Sequence, residues 1–410
     1  MAPIECEPPE RLQTTALGSA GATGGTGLPS TSGVNVSGEI GGGTGYSGIV
    51  PQSQADTVIP AGDSGALTGA IDSASNGEVI YVSPGTYDNP EASLSANNVT
   101  LAGNRGATSS GSTATTDGGS PAGSGGGGAP GALLKFDSAL NPGIEVTGSN
   151  VRITGLRVQG HDSVWNGEAG SNKENSVGID QVDGEGMEVD NCEGWGWVSI
   201  FADCDGNSPA HIHHNSIHDN PGASMGYGIQ SGPDTGLTLI EYNYFNRNRH
   251  SIAADNENPG YEVRYNVFGP IAYNQCVDQH GPDPAGGTLL IHHNTFQATE
   301  ASAEGTQDAG NQIVRIRGKP RNKAEVYNNW LWTTEEGYGI RQEGENKIGE
   351  RDKYNGSGTN KEALVNMTIR NNHYGKSKPP ANIGAQSGSQ SSSPVQQGSF
   401  DFEDDQAPTA

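Results

Sequence analysis

The sequence predicts an all-β fold, a single parallel β-helix in which short strands stack coil upon coil, and three observations predict it. Only 32% of the 410 residues are hydrophobic, too little for a thick core, and 63 are glycine, too many for a helical protein. A short motif built around asparagine recurs along the chain. The asparagines are spaced by about the length of one coil, and stacked coils share a thin continuous core that so modest an apolar fraction can fill.

The motif is clearest in HIHHNSIHDN, residues 211 to 220, which holds four histidines. Written as Ile212-His-His-Asn215-Ser-Ile217, it reads aliphatic, two polar residues, asparagine, any residue, large apolar residue. The same pattern returns around Asn243, Asn266, Asn294, Asn329 and Asn372, in steps of 28, 23, 28, 35 and 43 residues. The shorter steps suit one coil, and the longer ones a coil with an inserted loop. At a turn between strands the asparagines are expected to take the left-handed conformation and to hydrogen-bond along a column.

The remaining elements follow in chain order. Residues 1–55 are Gly/Ser/Thr-rich and read as a linker or attachment segment. The β-helix is expected over 56–375. It begins with SGALTGAIDSA (64–74), a short amphipathic helix, and GEVIYVSPGTYD (77–88), a strand running into a turn. VTLAGN (99–104) and VRITGLRVQG (151–160) alternate with period two and read as early coils, separated by a Gly-rich loop over 104–131. A second strand in most coils is marked by Ile200, Ile229, Ile252, Val277, Ile316 and Ile340. The tail, 376–410, is poor in apolar residues, acidic at its end, and expected to be disordered. The helix followed by I-x-V-x-P-G-T-Y resembles the N-terminal cap and first coil of right-handed parallel β-helix proteins of the pectate-lyase type. That resemblance covers roughly residues 56 to 375, and it implies a fold shared by polysaccharide lyases and viral spike or turret proteins.

Charge excludes some partners. Lys and Arg number 22 against 47 Asp and Glu, a net charge of -25 with only nine lysines. Nucleic acid, bound through clustered cations, is not an expected partner. Such acidity suits a protein kept hydrated in high salt, where the Debye length falls to ~3 Å, so a halophile or its virus is the expected source. No stretch approaches a membrane span, and MAPIECEPPERLQTT lacks the basic start and apolar run of a secretory signal. The four cysteines, Cys6, Cys192, Cys204 and Cys276, show no zinc spacing, and Cys192 with Cys204 could pair only if the fold brings them together.

The strand pattern assigns directions to the histidines. With Ile212 buried, His211 and His213 should point outward beside the turn, as solvent-facing polar residues, and no metal site is expected there. A stronger functional stripe lies along the outer edge of the later strands: Tyr227; Arg247, Arg249 and His250; Asp278 and His280; Arg315 and Arg317; Tyr338 and Arg341. On an acidic chain, basic groups in one stripe suggest a groove for an acidic polysaccharide. β-Elimination on a uronate needs a carboxylate clamp, a base for the C5 proton and an acid for the leaving oxygen. Arg249 fits the clamp, His250 or His280 the base, and Tyr227 the acid, with Asp278 beside them. Arg247, Arg315, Arg317, Tyr338 and Arg341 are then substrate-binding. The run GYGI, YNYFNRNRHSIA, YEVRYN, DQHG and IHHNTF also resembles a widespread group of secreted β-helix proteins with suspected polysaccharide-lyase activity. The structural alternatives are Arg249 paired with Asp255 and Asp278 merely holding His280. Hydrolysis ranks lower, because Asp278 has no second acid in register. ADCDGN (202–207) starts like a calcium loop but carries His214 where the twelfth-position glutamate belongs, so Ca²⁺ is admitted only as a loose site at Asp203 and Asp205.

Two functions are carried forward. One is a virion-surface protein, symmetric and homo-oligomeric like most spikes, that contacts other virion proteins and binds or cleaves host-surface glycan. The other is a secreted, extracellular lyase acting on uronic-acid glycans.

Overall fold

A computed structural model describes residues 40–43, 45–107, 131–139, 142–162, 176–220, 222, 225–232, 236–269, 271–281, 284–297, 300–301, 312–332, 339–343, 351–354, 364–375 and 383–385. Three sheets of 11, 10 and 10 strands run the length of the molecule, and the chain visits them in turn. Thr238–Glu241 lies on the first sheet, Tyr244–Asn248 on the second and His250–Ala254 on the third, after which Tyr261–Arg264 pairs in parallel one coil above the start. This is the expected parallel β-helix. Each coil has three strands rather than two, because the residues just after the asparagine form a sheet of their own.

One aliphatic row per sheet fills the interior. On the first sheet Ile153, Val189, Ile212, Ile240, Val263, Ile291 and Val326 stand in register, all wholly buried. On the second, Ile217, Phe245, Phe268, Phe296 and Leu331 do the same, and the three phenyl rings stack at 5.0 and 4.5 Å between centroids. Gly194 stands one coil below Ile217 in that row, because a Cβ there would meet the Phe201 ring at 2.3 Å. On the third, the row is Ala202, Ile229, Ile252, Val277, Val314 and Ile340. Ile200 is displaced from that row to the outer side, where it packs with Val177 and Tyr227, and Ile316 pairs with Gln279 rather than Val277.

The asparagines form the expected column. Nδ2 of Asn215, Asn243, Asn266, Asn294 and Asn329 each donates to Oδ1 of the next asparagine at 3.0 to 3.1 Å, ending on Asn372. The backbone N–H of each donates to the same oxygen, and Nδ2 also reaches the carbonyl of a core residue one coil below, as Asn243 does to Ile212 at 2.9 Å. The left-handed residue is not the asparagine. It is the one before it: His214, Tyr242, Tyr265, His293, Asn328 and Asn371 all have φ of 54° or 55°. The bend at that residue turns the asparagine side chain inward to the column and leaves the preceding side chain outside, at a cost of ~1–2 kcal/mol for a non-glycine residue.

The N-terminal end is covered, and at the other end one sheet gains a terminal strand. The helix Ser64–Asp72 is N-capped by Asp63, whose carboxylate accepts from the Ala66 N–H at 2.9 Å, and it lays Leu67 and Ile71 against the first coils. At the other end Arg351–Tyr354 pairs antiparallel with Gly339–Glu343 and terminates the third sheet, blunting its edge.

Two segments expected as linker and tail contribute to the packed body. Residues 40–43 and 45–50 cross the outer face of the first sheet: Gly41 N–H donates to the Tyr242 carbonyl at 2.9 Å, and the Tyr46 hydroxyl to Asp190 at 2.7 Å. Residues 383–385 dock nearby, with Ala385 in one apolar cluster with Ile40, Tyr242, Tyr244 and Val267. This cover corrects the expectation for the histidines. His213 leaves the sheet outward, as the alternation requires, and His214 stands outside the column at the left-handed turn, yet only 3% and 1% of their surface is exposed. The loop expected over 104–131 falls mostly outside the described residues, as does Cys6. Cys192, Cys204 and Cys276 are buried thiols and not disulfide-bonded. No helix among the described residues is long and apolar enough to cross a membrane.

Candidate active site

On the third sheet, outward side chains from successive coils rise ~4.7–4.9 Å apart, so residues far apart in sequence share one small volume. Tyr227 and His250 are register partners on neighbouring strands. Asp278 follows on the next strand, and its own partners above are Arg315 and then Arg341. His280 sits just past the end of the Asp278 strand, fixed by its N–H to the Ala254 carbonyl at 2.7 Å.

The polar geometry is tight. Asp278 is wholly buried and receives Arg317 on both oxygens, with Nε at 2.9 Å from Oδ1 and Nη2 on Oδ2. His280 Nε2 lies 3.0 Å from Oδ2 of the same carboxylate, and His250 Nε2 lies 3.3 Å from it. His250 is also wholly buried, and its Nδ1 faces the Gln275 carbonyl at 3.3 Å. A carbonyl only accepts, so Nδ1 carries the hydrogen and Nε2 is left as a lone pair. Into that lone pair Arg249 points Nη1 at 3.1 Å, and the same nitrogen is 3.5 Å from the Tyr227 hydroxyl. The Tyr227 ring packs on both imidazoles, 5.1 Å from His250 and 5.9 Å from His280.

Electrostatics sort these groups into roles. Burial drives the His250 pKa well below its ordinary value, an effect that the Asp278 charge only partly offsets, so the imidazole is neutral. Burial works against the Asp278 carboxylate, but the hydrogen bond to His280 and the Arg317 cation overcome it and hold the group ionised far below the usual range. Burial raises the Tyr227 hydroxyl, despite the nearby Arg249 cation, and keeps it protonated. A neutral base, an ionised carboxylate behind it, a guanidinium and a phenol therefore share one site, the inventory of proton transfer next to an anionic group.

His250, Asp278 and His280 place three metal-capable atoms within 4.8 Å of one another. Two imidazoles and a carboxylate could hold a transition-metal ion, yet Arg317 already occupies both oxygens of Asp278, which favours proton chemistry over a metal here.

Of the stripe read from sequence, the fold brings together Tyr227, Arg249, His250, Asp278, His280 and Arg317. Arg315 and Arg341 extend the row upward, with Arg341 buried. Arg247 is elsewhere: its φ of 51° bends the chain on the second sheet, where its Nη1 lies 3.7 Å from Asp219. Tyr338 lies outside the described residues. Arg249 engages Tyr227 and His250 rather than serving only as a partner for Asp255. One contributor was missed. Gln275 fixes the His250 tautomer through its carbonyl, and its side-chain oxygen and nitrogen are buried with no hydrogen-bond partner among the described residues. Nothing in the motif flags it, because the contact is made by backbone.

The loose calcium site expected at Asp203 and Asp205 is a carboxylate strip that also includes Asp180, the register partner of Asp203. Burial and mutual repulsion push Asp203 well up and Asp180 to about 6.

No protein-family profile and no curated protein matches the sequence. Among solved structures the chain is similar to an alginate lyase from Paenibacillus sp. str. FPU-7, at 14% identity and a TM-score of 0.49, over 78% of this chain and 96% of that one. It is also similar to the PL6 family alginate lyase AlyGC, at 15% identity and a TM-score of 0.31, over 80% of this chain and 53% of that one.

Proposed function

We propose that the protein is a polysaccharide lyase that cleaves uronic-acid glycans by β-elimination at the Tyr227, Arg249, His250, Asp278 and His280 cluster. The observation that carries this reading is the His250 tautomer: a neutral imidazole with a bare Nε2, backed by an ionised Asp278 and covered by a guanidinium.

In this reading each step has a residue in reach. In the free protein Arg249 lies over the base. A substrate carboxylate draws the guanidinium onto itself, which neutralises the uronate and uncovers His250 Nε2. His250 then takes the C5 proton, and the electron pair forms the C4–C5 double bond as the C4–O bond breaks. The Tyr227 hydroxyl donates its proton to the departing glycosidic oxygen. Asp278 stabilises the imidazolium, and general acid and base of this kind supply ~10²–10⁴-fold each. His280 and Arg317, with side chains 20% and 21% exposed, form the open rim where the chain would enter, and Arg315 and Arg341 continue the row.

The test is incubation in high salt with a panel of polyuronates that includes alginate and pectate, following the ultraviolet absorbance of unsaturated uronates. Product should appear with the parent and be lost in Arg249→Ala, His250→Ala and Tyr227→Phe. The virion-surface reading uses the same residues for binding without turnover. Retention of these polymers by the parent, with no unsaturated product from any, would replace the lyase by that binding protein.

A further inference from the structure

We propose a second site, on the first sheet: Glu188, His211 and His213 bind one divalent transition-metal ion of the zinc class. It does not depend on the lyase reading, and it shares no residue with the cluster on the third sheet.

Register builds the site. Glu188 is the cross-strand partner of His211, and Asp190 of His213, so the three ligands belong to two adjacent coils. Their donor atoms lie within 4.8 Å of one another, with His213 Nε2 3.0 Å from Glu188 Oε1 and the His211 and His213 rings 4.1 Å apart. Two imidazoles and one carboxylate suit Zn²⁺ and its neighbours rather than Ca²⁺ or Mg²⁺, which take oxygen. The groups behind the ligands are also in place. His213 Nδ1 meets His214 Nδ1 at 2.8 Å, His211 Nε2 meets Glu241 at 3.1 Å, and Arg264 holds Glu241 at 2.7 Å. Arg152 Nε approaches Glu188 Oε1 only at 3.5 Å, while the guanidinium donates to Asp190 at 2.8 and 2.7 Å, and Glu188, Asp190 and Glu241 outnumber Arg152 and Arg264, which leaves a negative surround. Glu188 and His213 are nearly closed off, whereas the His211 side chain is 24% exposed and marks the entry.

The protein contains its own comparison. Three coils higher, His292 Nδ1 meets His293 Nδ1 at 2.8 Å, and His292 Nε2 meets Glu262 at 3.1 Å. That arrangement repeats the histidine pair and its glutamate, but Leu290 stands where His211 stands below. A paired histidine held by a glutamate therefore belongs to the coil. A third ligand is added only at His211.

The histidine pair can also adapt to an ion. Two Nδ1 atoms in contact share one hydrogen. With the hydrogen on His214, His213 Nε2–H donates to Glu188 and the site is complete without metal. With the hydrogen on His213, its Nε2 is a lone pair aimed at a carboxylate, and a cation satisfies both. Moving between these states needs only tautomer exchange within the pair.

The test uses the full chain, stripped with chelator and titrated with Zn²⁺ by calorimetry, then loaded with Co²⁺ for visible absorption. The parent should bind one equivalent at this site with the intense bands of low-coordinate Co²⁺, and Zn²⁺ should raise its Tm. His211→Leu copies the higher coil and is expected to keep the fold while losing that equivalent. Glu188→Gln should weaken it at least tenfold, and His280→Ala should retain it. Absence of binding in the parent, unchanged binding in His211→Leu, or loss in His280→Ala would each overturn the proposal.

Discussion

Oδ2 of Asp278 lies 3.3 Å from Nε2 of His250, and neither side chain is exposed. Its pKa, held far below the usual range, makes Asp278 a weak base; in the proposed reaction it would instead stabilise the charge that His250 gains. Asp278→Asn is expected to lower kcat by ~10²–10⁴-fold with a much smaller change in KM. Steady-state kinetics on the cleaved polymer checks this. Because burial depresses His250, activity should persist below pH 6.5 and fall only on further acidification, when the imidazole binds a proton before substrate arrives. An acid limb centred at or above 6.5 would contradict it.

Asn266 lies inside the column, accepting from the Asn243 backbone and side chain and donating to Asn294 and to the Ile240 carbonyl. Asn266→Ala leaves several buried groups unpaired at ~1–3 kcal/mol each, so a loss of ~2–4 kcal/mol is expected. Asn372→Ala, at the less buried end, should cost about half as much. Chemical denaturation of the two variants side by side tests the ranking.

His218 joins Asp219 at 2.6 Å and Glu193 at 3.3 Å. Burial opposes the charged imidazole, but these two carboxylates outweigh it and raise the pKa to about 9. A folded value above the unfolded ~6.5 means the stabilisation is complete below pH 6.5 and fades as pH rises through 9, by up to ~3 kcal/mol. Melting curves from pH 6 to 10 should show that decline, and His218→Gln should flatten it.

The strip of Asp180, Asp203 and Asp205 also loses stability as pH rises, but in a lower window and because its charged form is the disfavoured one. Burial and neighbouring charge raise Asp180 to about 6, so folding favours its protonated form, and stability is lost as pH climbs from 3.8 through 6. Asp203→Asn removes a buried like charge and should raise Tm by ~2 °C or more at pH 7, with little change near pH 4. An unchanged Tm at pH 7 would mean that the strip carries no strain.

The solenoid was legible because one residue type recurs where the column demands it: only a side chain with both donor and acceptor can repeat the Asn215 to Asn243 bond indefinitely. The third strand was less legible because Ile217 follows Asn215 by two residues, with no turn signal between the sheets. Arg249, His250 and Asp278 could be grouped from their positions in the repeat, but Arg247 could not be separated from them without its left-handed bend. The burial of His213 was invisible for another reason. Residues 40–43 and 45–50, which pack Tyr46 on the neighbouring His214, are far away in sequence and have no period of their own; the Gln275 carbonyl behind His250 left no signal because backbone makes the contact.

The left-handed turn that precedes each column asparagine accepts histidine, tyrosine or asparagine alike, since its side chain stays outside while the asparagine closes the bonds above and below. The coils from Asn215 to Asn372 thus carry a common connector at each face. Such a molecule can lengthen or shorten by whole turns, and trade chemistry between neighbouring turns, without renegotiating its interior.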